Sequence, residues 1–384
     1  MYERFVKLPK NKSFFLFGPR QTGKTTYINQ IFNKNTWRID LLKREEFIEY
    51  TKNNSLFLKQ AETKIKKEKI SHIVIDEIQK IPILLNEVHY LIEKYPIHFV
   101  LSGSSARKLK RGAANMLGGR AIQRFLYPFI YREVKSDFDL DDVLKFGTLP
   151  SVFQQDPIEK IETLKAYSQI YLKEEIQAEG IVRNLGGFSR FLDIASAQFA
   201  ELLNYSNIAR DSKVSSRVIS SYYEILEDTL IGFKLLPYSK SIRKRLVNQP
   251  KFYFFDNGVT NSINQTITLQ NNPLYEGKLF EQFIIQEFYR YLNYSNSEAK
   301  LFFWRTNHGA EIDLVIEKHG KLVAGIEIKY SDIITGAHLS GLRSFRQDHP
   351  NIPLFIISRV QHPYELDDVQ VIPWHSYEEI LELI

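Results

Sequence analysis

The sequence contains no cysteine in 384 residues, which excludes disulfides, thiolate metal sites and cysteine nucleophiles together. No apolar run approaches the ~18 uninterrupted residues of a membrane-spanning helix. The first residues, Met1-Tyr2-Glu3-Arg4-Phe5, lack the apolar core of a secretory signal. There is no internal repeat and no low-complexity tract, and the histidines show no paired metal-ligand spacing. The expectation is a cytoplasmic protein with no membrane partner. What remains is ordinary globular material, 43% hydrophobic and 25% charged, enough for real cores at a length that suggests about two or three domains.

Charge is unevenly placed. Residues 1–135 carry 26 Lys/Arg against 12 Asp/Glu, net +14, whereas residues 136–384 carry 25 against 33, net −8. A basic N-terminal field favours phosphates, whether of nucleotides or of nucleic acid.

The first 130 residues alternate short apolar runs with helical patterns. The runs are 13–17, 37–40, 72–76, 98–102 and 121–126. Such alternation predicts an α/β domain with a parallel sheet covered on both faces. The acidic stretch around Asp137, Asp139, Asp141 and Asp142 marks a boundary, so the first domain is taken as 1–135. Residues 158–235 read as helices without strands. Within them 204–226 has the outline of a helix-turn-helix, with a turn at Asp211-Ser212 and Val214, Val218, Tyr222 and Leu226 recurring every four residues. The basic segment Lys240 to Lys251, with Arg243, Lys244 and Arg245, has the character of a wing, and Phe252 to Asp256 reads as a strand, so 136–255 is a helical and winged-helix region. A helix is predicted at 276–291 and strands at 301–304, 311–316, 322–328 and 354–358, giving a third, α/β domain over 256–384.

Two motifs carry chemistry in the first domain. Gly18-Pro19-Arg20-Gln21-Thr22-Gly23-Lys24-Thr25, followed by Thr26, matches GxxxxGKT between an apolar strand and a helical pattern. Its glycines let backbone N–H groups close around the α- and β-phosphates of ATP. Lys24 reaches the β- and γ-phosphates, and the Thr25 hydroxyl ligates Mg²⁺. Then His72 to Glu77 is an apolar strand ending in two carboxylates. Asp76 is expected to hold a Mg²⁺-bound water and Glu77 to orient and deprotonate the attacking water; the alternative is that the pair only caps a helix. Ser102 or Ser104, at the next strand's carboxyl end, is a candidate sensor of the γ-phosphate. Among Arg107, Arg111 and Arg120, the last is the preferred transition-state arginine, in the same or a neighbouring subunit of a homo-oligomer.

Through GPRQTGKTT, VIDEIQKIP, LSGSSARKL, GGR…LYPF and KFYFFDNG the chain resembles prokaryotic AAA-type ATPases. In that family a P-loop core with an extra central strand precedes a winged helix and a nuclease-like domain of unassigned function. The resemblance covers almost the whole length and implies an ATPase, but it supplies no substrate.

In the third domain, Asp313 stands on one strand and Glu327 and Lys329 on the next, where residues two apart share a face. With Glu281 on the preceding helix, the arrangement resembles the PD-(D/E)xK nuclease fold. That resemblance implies oxygen ligands for Mg²⁺ from Glu281, Asp313 and Glu327, and a water-positioning Lys329. The alternative is a solvent-facing sheet side with cross-strand ion pairs. Residues 252–384 hold 10 basic and 17 acidic side chains, so DNA affinity would have to come from 201–251, with 9 against 5 and Lys213 and Arg217 near the second helix's start. Winged helices in ATPases also serve as protein contacts or nucleotide lids.

Two functions follow. One is a Mg²⁺-dependent ATPase coupled to a nucleic-acid-directed, nuclease-like module. The other is a nucleotide-dependent switch or scaffold with a silent C-terminal domain.

Overall fold

A computed structural model describes residues 2–105, 117–171, 184–239, 241, 249–269 and 272–384. The protein is α/β and divides into two compact units. The first comprises Met1–Phe129, Leu149–Ser151 and Ile225–Ile231, and the second Ile130–Thr148, Val152–Glu224 and Gly232–Ile384. No helix among the described residues is long and apolar enough to cross a membrane.

In the first unit five strands, β1 (Ser13–Phe17), β2 (Thr36–Asp40), β3 (His72–Asp76), β4 (His98–Gly103) and β5 (Ala121–Phe125), form one sheet in the order β2-β3-β4-β1-β5. Every pairing is parallel. β1 reads Ser-Phe-Phe-Leu-Phe and is buried along its whole length, the continuous apolar run that a strand covered on both faces requires. β4 lies between β1 and β3, the extra central strand that the family resemblance implies. Helices α1 (Lys24–Ile31), α2 (Arg44–Lys52), α3 (Asn54–Glu68) and α4 (Leu84–Lys94) connect the strands. Phe15, Phe17, Ile73, Ile75, Phe99 and Leu101 meet Phe57, Leu84 and Val88 in one buried core.

The second unit holds α5 (Leu185–Ala197), α6 (Tyr205–Ser212) and α7 (Ser216–Asp228, whose last residues fall in the first unit). Asn204 caps α6 through the backbone N–H of Asn207. Lys213, at φ 56, makes the turn between α6 and α7, so Asp211 and Ser212 belong to the helix rather than to the turn. On α7 the buried stripe is Ile219, Tyr222, Tyr223 and Leu226; Val214 and Val218 are only half-buried. The expected four-residue spacing caught Tyr222 and Leu226 but missed Ile219 and Tyr223, because a stripe at 3.6 residues per turn uses steps of both three and four.

Residues 232–237 correct the sequence reading. They form strand β6 (Gly232–Pro237), not helix, paired antiparallel to β7 (Lys251–Phe254) and parallel to β8 (Lys300–Arg305). Gly232 is required there, since a Cβ would lie 2.3 Å from the Phe252 ring. Local pattern loses here to pairing with strands distant in sequence. The wing residues Lys240, Arg243, Lys244 and Arg245 lie outside the described residues.

The rest of the sheet follows from the 23-residue helix α8 (Pro273–Ser295), capped by Asn272 with proline in its first turn. β8, β9 (Glu311–Lys318) and β10 (Lys321–Lys329) run antiparallel in succession. After α9 (Ser340–Asp348), β11 (Leu354–Ser358) returns parallel to β10. β12 (Tyr364–Leu366) and β13 (Val369–Pro373), not anticipated from the sequence, complete the edge.

Glu287 on α8 is fully buried and accepts hydrogen bonds from Tyr131 N (2.9 Å) and the Tyr377 hydroxyl (2.5 Å). Burial pushes its carboxyl up to about 7, against the pull of Arg290. A carboxyl raised in the fold keeps its proton when the unfolded chain has lost it. Stability from this group is therefore fully present below about pH 4.5 and is lost as pH rises to about 7. Chemical denaturation between pH 5 and pH 8 should show the wild type losing stability more steeply than Glu287→Gln, by about 2–3 kcal/mol. Parallel slopes would remove Glu287 as the cause.

Candidate functional site

Because all strands of the first sheet run parallel, their carboxyl ends share one edge, and the loop after β1 meets the ends of β3 and β4 there. Gly18 follows β1 where a Cβ would lie 2.1 Å from the Leu126 carbonyl oxygen, so no side chain fits. Gly23 has φ 84 and Gln21 φ 64, the left-handed turns that aim successive N–H groups into one concavity. Thr22 is fully buried and its hydroxyl donates to Pro19 O at 2.9 Å. Lys24 Nζ folds back to donate to the Gly18 and Pro19 carbonyls at 2.8 and 2.9 Å.

The loop also has a brace that the sequence did not disclose. Arg4, only 5% exposed, donates to Thr22 O (3.0 Å) and Tyr127 O (2.6 Å) and lies 4.8 Å over the Phe129 ring. Nothing in its local pattern marks it, since its partners are 18 and 123 residues away.

The Asp76 carboxylate is the centre of the site. It accepts from the Thr25 hydroxyl at 2.6 Å on Oδ2 and from the Ser102 hydroxyl on Oδ1. A hydroxyl and a carboxylate in contact beside the 18–25 loop are the hard oxygen donors that Mg²⁺ takes. A cavity of about 210 Å³, lined by Thr25, Asn29, Arg38, Asp40, Lys43 and Asp76, opens beside them.

Glu77 has φ 59, a left-handed conformation that turns it out of the strand line. Gln79 Nε2 donates to Glu77 and, at 3.2 Å, to the Ser104 hydroxyl. Gln79 Oε1 is buried without a hydrogen-bond partner among the described residues, and a Cβ on Gly103 would lie 2.3 Å from it. Gln79 thus ties the two groups that the sequence reading assigned separately to base and sensor.

Arg120 stands elsewhere. In the parallel register Ala121 pairs with Ser13 and Phe125 with Phe17, so Arg120 lies at the amino edge of the sheet, roughly 20 Å along the strand direction from the loop. It is half-exposed and paired with Glu93. A role for Arg120 at its own subunit's nucleotide is therefore corrected. Arg107 and Arg111 lie outside the described residues.

In the second unit Asp313, Glu327 and Lys329 do come together. Lys329 Nζ is 2.6 Å from Glu327 Oε1 and 4.0 Å from Asp313 Oδ2, which also accepts from Ile328 N at 2.8 Å. Burial, with Asp313 beside it, pushes Glu327 up to about 8. Burial alone would lower Lys329, yet Asp313 and Glu327 raise it to about 12. Glu281 meets a different partner. Its Oε1 accepts from Lys251 Nζ (3.0 Å) and the Tyr253 hydroxyl (2.6 Å). Lys251 also lies 2.7 Å from Glu311 Oε1 and 3.9 Å from Asp313 Oδ1. Burial would lower this lysine, but Glu281, Asp313 and Glu311 raise it well above the ordinary value, so it stays an ammonium. Among the described residues no three His, Asp or Glu side chains form a set that would hold a metal ion. The expectation that Glu281, Asp313 and Glu327 ligate Mg²⁺ together is corrected: a lysine stands among the carboxylates.

Comparison with known proteins bears on the first unit. Residues 10–135 match the model of the AAA domain. Residues 137–270 and 276–377 match two domains of unknown function, DUF8612 and DUF4143. The chain is similar to an uncharacterized protein of Mycobacterium tuberculosis, 25% identical over 382 residues, covering 96% of this chain and 83% of that one. An uncharacterized protein of Methanocaldococcus jannaschii is 24% identical over 339 residues, 81% of this chain and 73% of the other. Among solved structures, a chain of the Aeropyrum pernix ORC1 protein in complex with DNA aligns over 67% of this chain and 87% of that one, at 14% identity and a TM-score of 0.27. The part of the chain that is similar to AAA domains is thus the part that carries the 18–25 loop and Asp76.

Gln79 gives a test of the geometry. Gln79→Glu replaces a donor to Glu77 by a like charge. It should lower kcat for ATP about 10- to 100-fold, with KM little changed and the acid limb of the pH–rate profile moved upward. Parental kcat and an unmoved profile would show that Gln79 does not position Glu77.

Proposed function

We propose that the chain binds ATP with Mg²⁺ at residues 18–25 and hydrolyses it, and that this ATPase serves a nucleic-acid-directed module in the rest of the chain. The observation that carries the first part is the contact of the Thr25 hydroxyl with Asp76 beside a loop whose Lys24 ammonium rests on its own carbonyls. In this reading the Lys24 ammonium exchanges those carbonyls for β- and γ-phosphate oxygens, a move within reach of one side chain. Gly18 to Thr26 cradle the phosphates with backbone N–H groups. Thr25 and Asp76 are the residues that would hold Mg²⁺, which when bound neutralises charge across the phosphate oxygens. Glu77 orients the attacking water and takes its proton, held in line by Gln79, while Ser104 on the same network senses the γ-phosphate.

Support for the nucleic-acid part is of a different kind. Helices α6 and α7 followed by the β6–β7 pair have the order of a winged helix, and Lys213 and Arg217 are exposed at the start of the second helix. Helix α8, the antiparallel β8–β9–β10 and the parallel β11 support a nuclease-like reading of the C-terminal part. Lys251 among its carboxylates favours the version in which this part binds rather than cuts, closer to the switch than to the nuclease.

One variant tests both parts. Glu77→Gln should bind Mg²⁺·ATP with parental affinity and lose turnover about 100-fold or more. Held with ATP, it should bind DNA with an affinity that falls steeply with salt. Parental turnover would contradict the assigned base, and DNA binding absent at low salt would contradict the nucleic-acid module.

A further inference from the structure

Strand β7 begins with Lys251, and the strand's register fixes where its side chain goes. Lys251 pairs with Leu235 on β6 and bridges to Leu202 on its other side, so its backbone is held from both flanks. The side chain runs under the sheet to the carboxylates of α8 and β9 and is 4% exposed. We infer that the Lys251 ammonium takes, among Glu281, Glu311 and Asp313, the position that a divalent cation takes in a metal-dependent hydrolase. The cluster is closed by a cation of the chain itself and draws no ion from solution.

The oxygen-by-oxygen pairing carries the argument. Glu281 Oε1 is shared by Lys251 and the Tyr253 hydroxyl. Glu311 gives Oε1 to Lys251 and Oε2 to Arg305 at 2.6 Å. Asp313 Oδ2 is taken by the Ile328 N–H, and Glu327 Oε1 by Lys329. Four carboxylates thus face three cations, with Lys251 buried at the centre, Lys329 partly buried and Arg305 at the exposed rim. Buried charges persist only when paired in this way. An incoming divalent ion would have to displace an ammonium that the strand register does not release, leaving it buried and unpaired, or sit within about 4 Å of it at full repulsion. The inference is independent of ATP binding and is tested without nucleotide.

The first measurement uses the intact wild-type chain. Free Mn²⁺ is counted by electron paramagnetic resonance during titration of wild type and of Asp313→Asn/Glu327→Gln. Identical uptake by the two supports the inference, and a site of the wild type that vanishes in the double variant overturns it. The second uses Lys251→Ala, which empties the position. Its melting temperature should fall by about 10 °C and recover when Mn²⁺ is added, while the wild-type value responds to neither Mn²⁺ nor chelator. A folded Lys251→Ala protein that Mn²⁺ does not stabilise would overturn the inference. If the variant does not fold, the wild-type titration alone decides.

Discussion

Parallel pairing is the constraint on which the first unit depends. A parallel sheet puts all carboxyl ends on one edge, and with β4 inserted between β1 and β3 that edge carries the loop 18–25, Asp76, Glu77, Ser102 and Ser104 together. The loop needs a left-handed turn at Gly23, no side chain at Gly18 and a brace behind it, and the brace is Arg4. The same geometry accounts for what does not belong. Arg120 precedes β5 at the amino edge, so parallel pairing carries it away from the 18–25 loop as surely as it brings Asp76 to that loop.

Much of this was legible in the amino-acid sequence because the signals are local. The strand-loop-helix context of GxxxxGKT, the apolar run ending at Asp76 and the alternation of strands with helices each lie within a few neighbouring residues. The strands β8 to β11 were legible for the same reason, each being an apolar run bounded by turn residues. Strand β6 was not: Gly232–Pro237 looks helical in its neighbourhood and becomes a strand by pairing with β7 and β8. Arg4 and Gln79 were missed because their partners are set by tertiary contact, though Gln79 stands in plain view two residues after Glu77.

Lys251 is the most instructive case. In sequence it closes a basic segment and reads as a surface residue of a wing. In the fold it is the first residue of a buried strand and neutralises carboxylates 30, 60 and 62 positions further on. The alternation that put Asp313 next to Glu327 and Lys329 was sound as geometry. The chemistry drawn from it required knowing what else is buried there, and a ligand set counted from carboxylates alone omits the cation already among them.

The central claim is that main-chain amides around residue 20, with Lys24 and Thr25, bind a nucleoside triphosphate. Isothermal titration of the intact protein with ATP and magnesium, beside Lys24→Ala, tests it most directly. The account expects one nucleotide per chain for the wild type and an affinity lower by about tenfold or more for the variant, the loss of one charge-assisted contact. No heat of binding from folded wild type, or equal affinities for the two proteins, would contradict it.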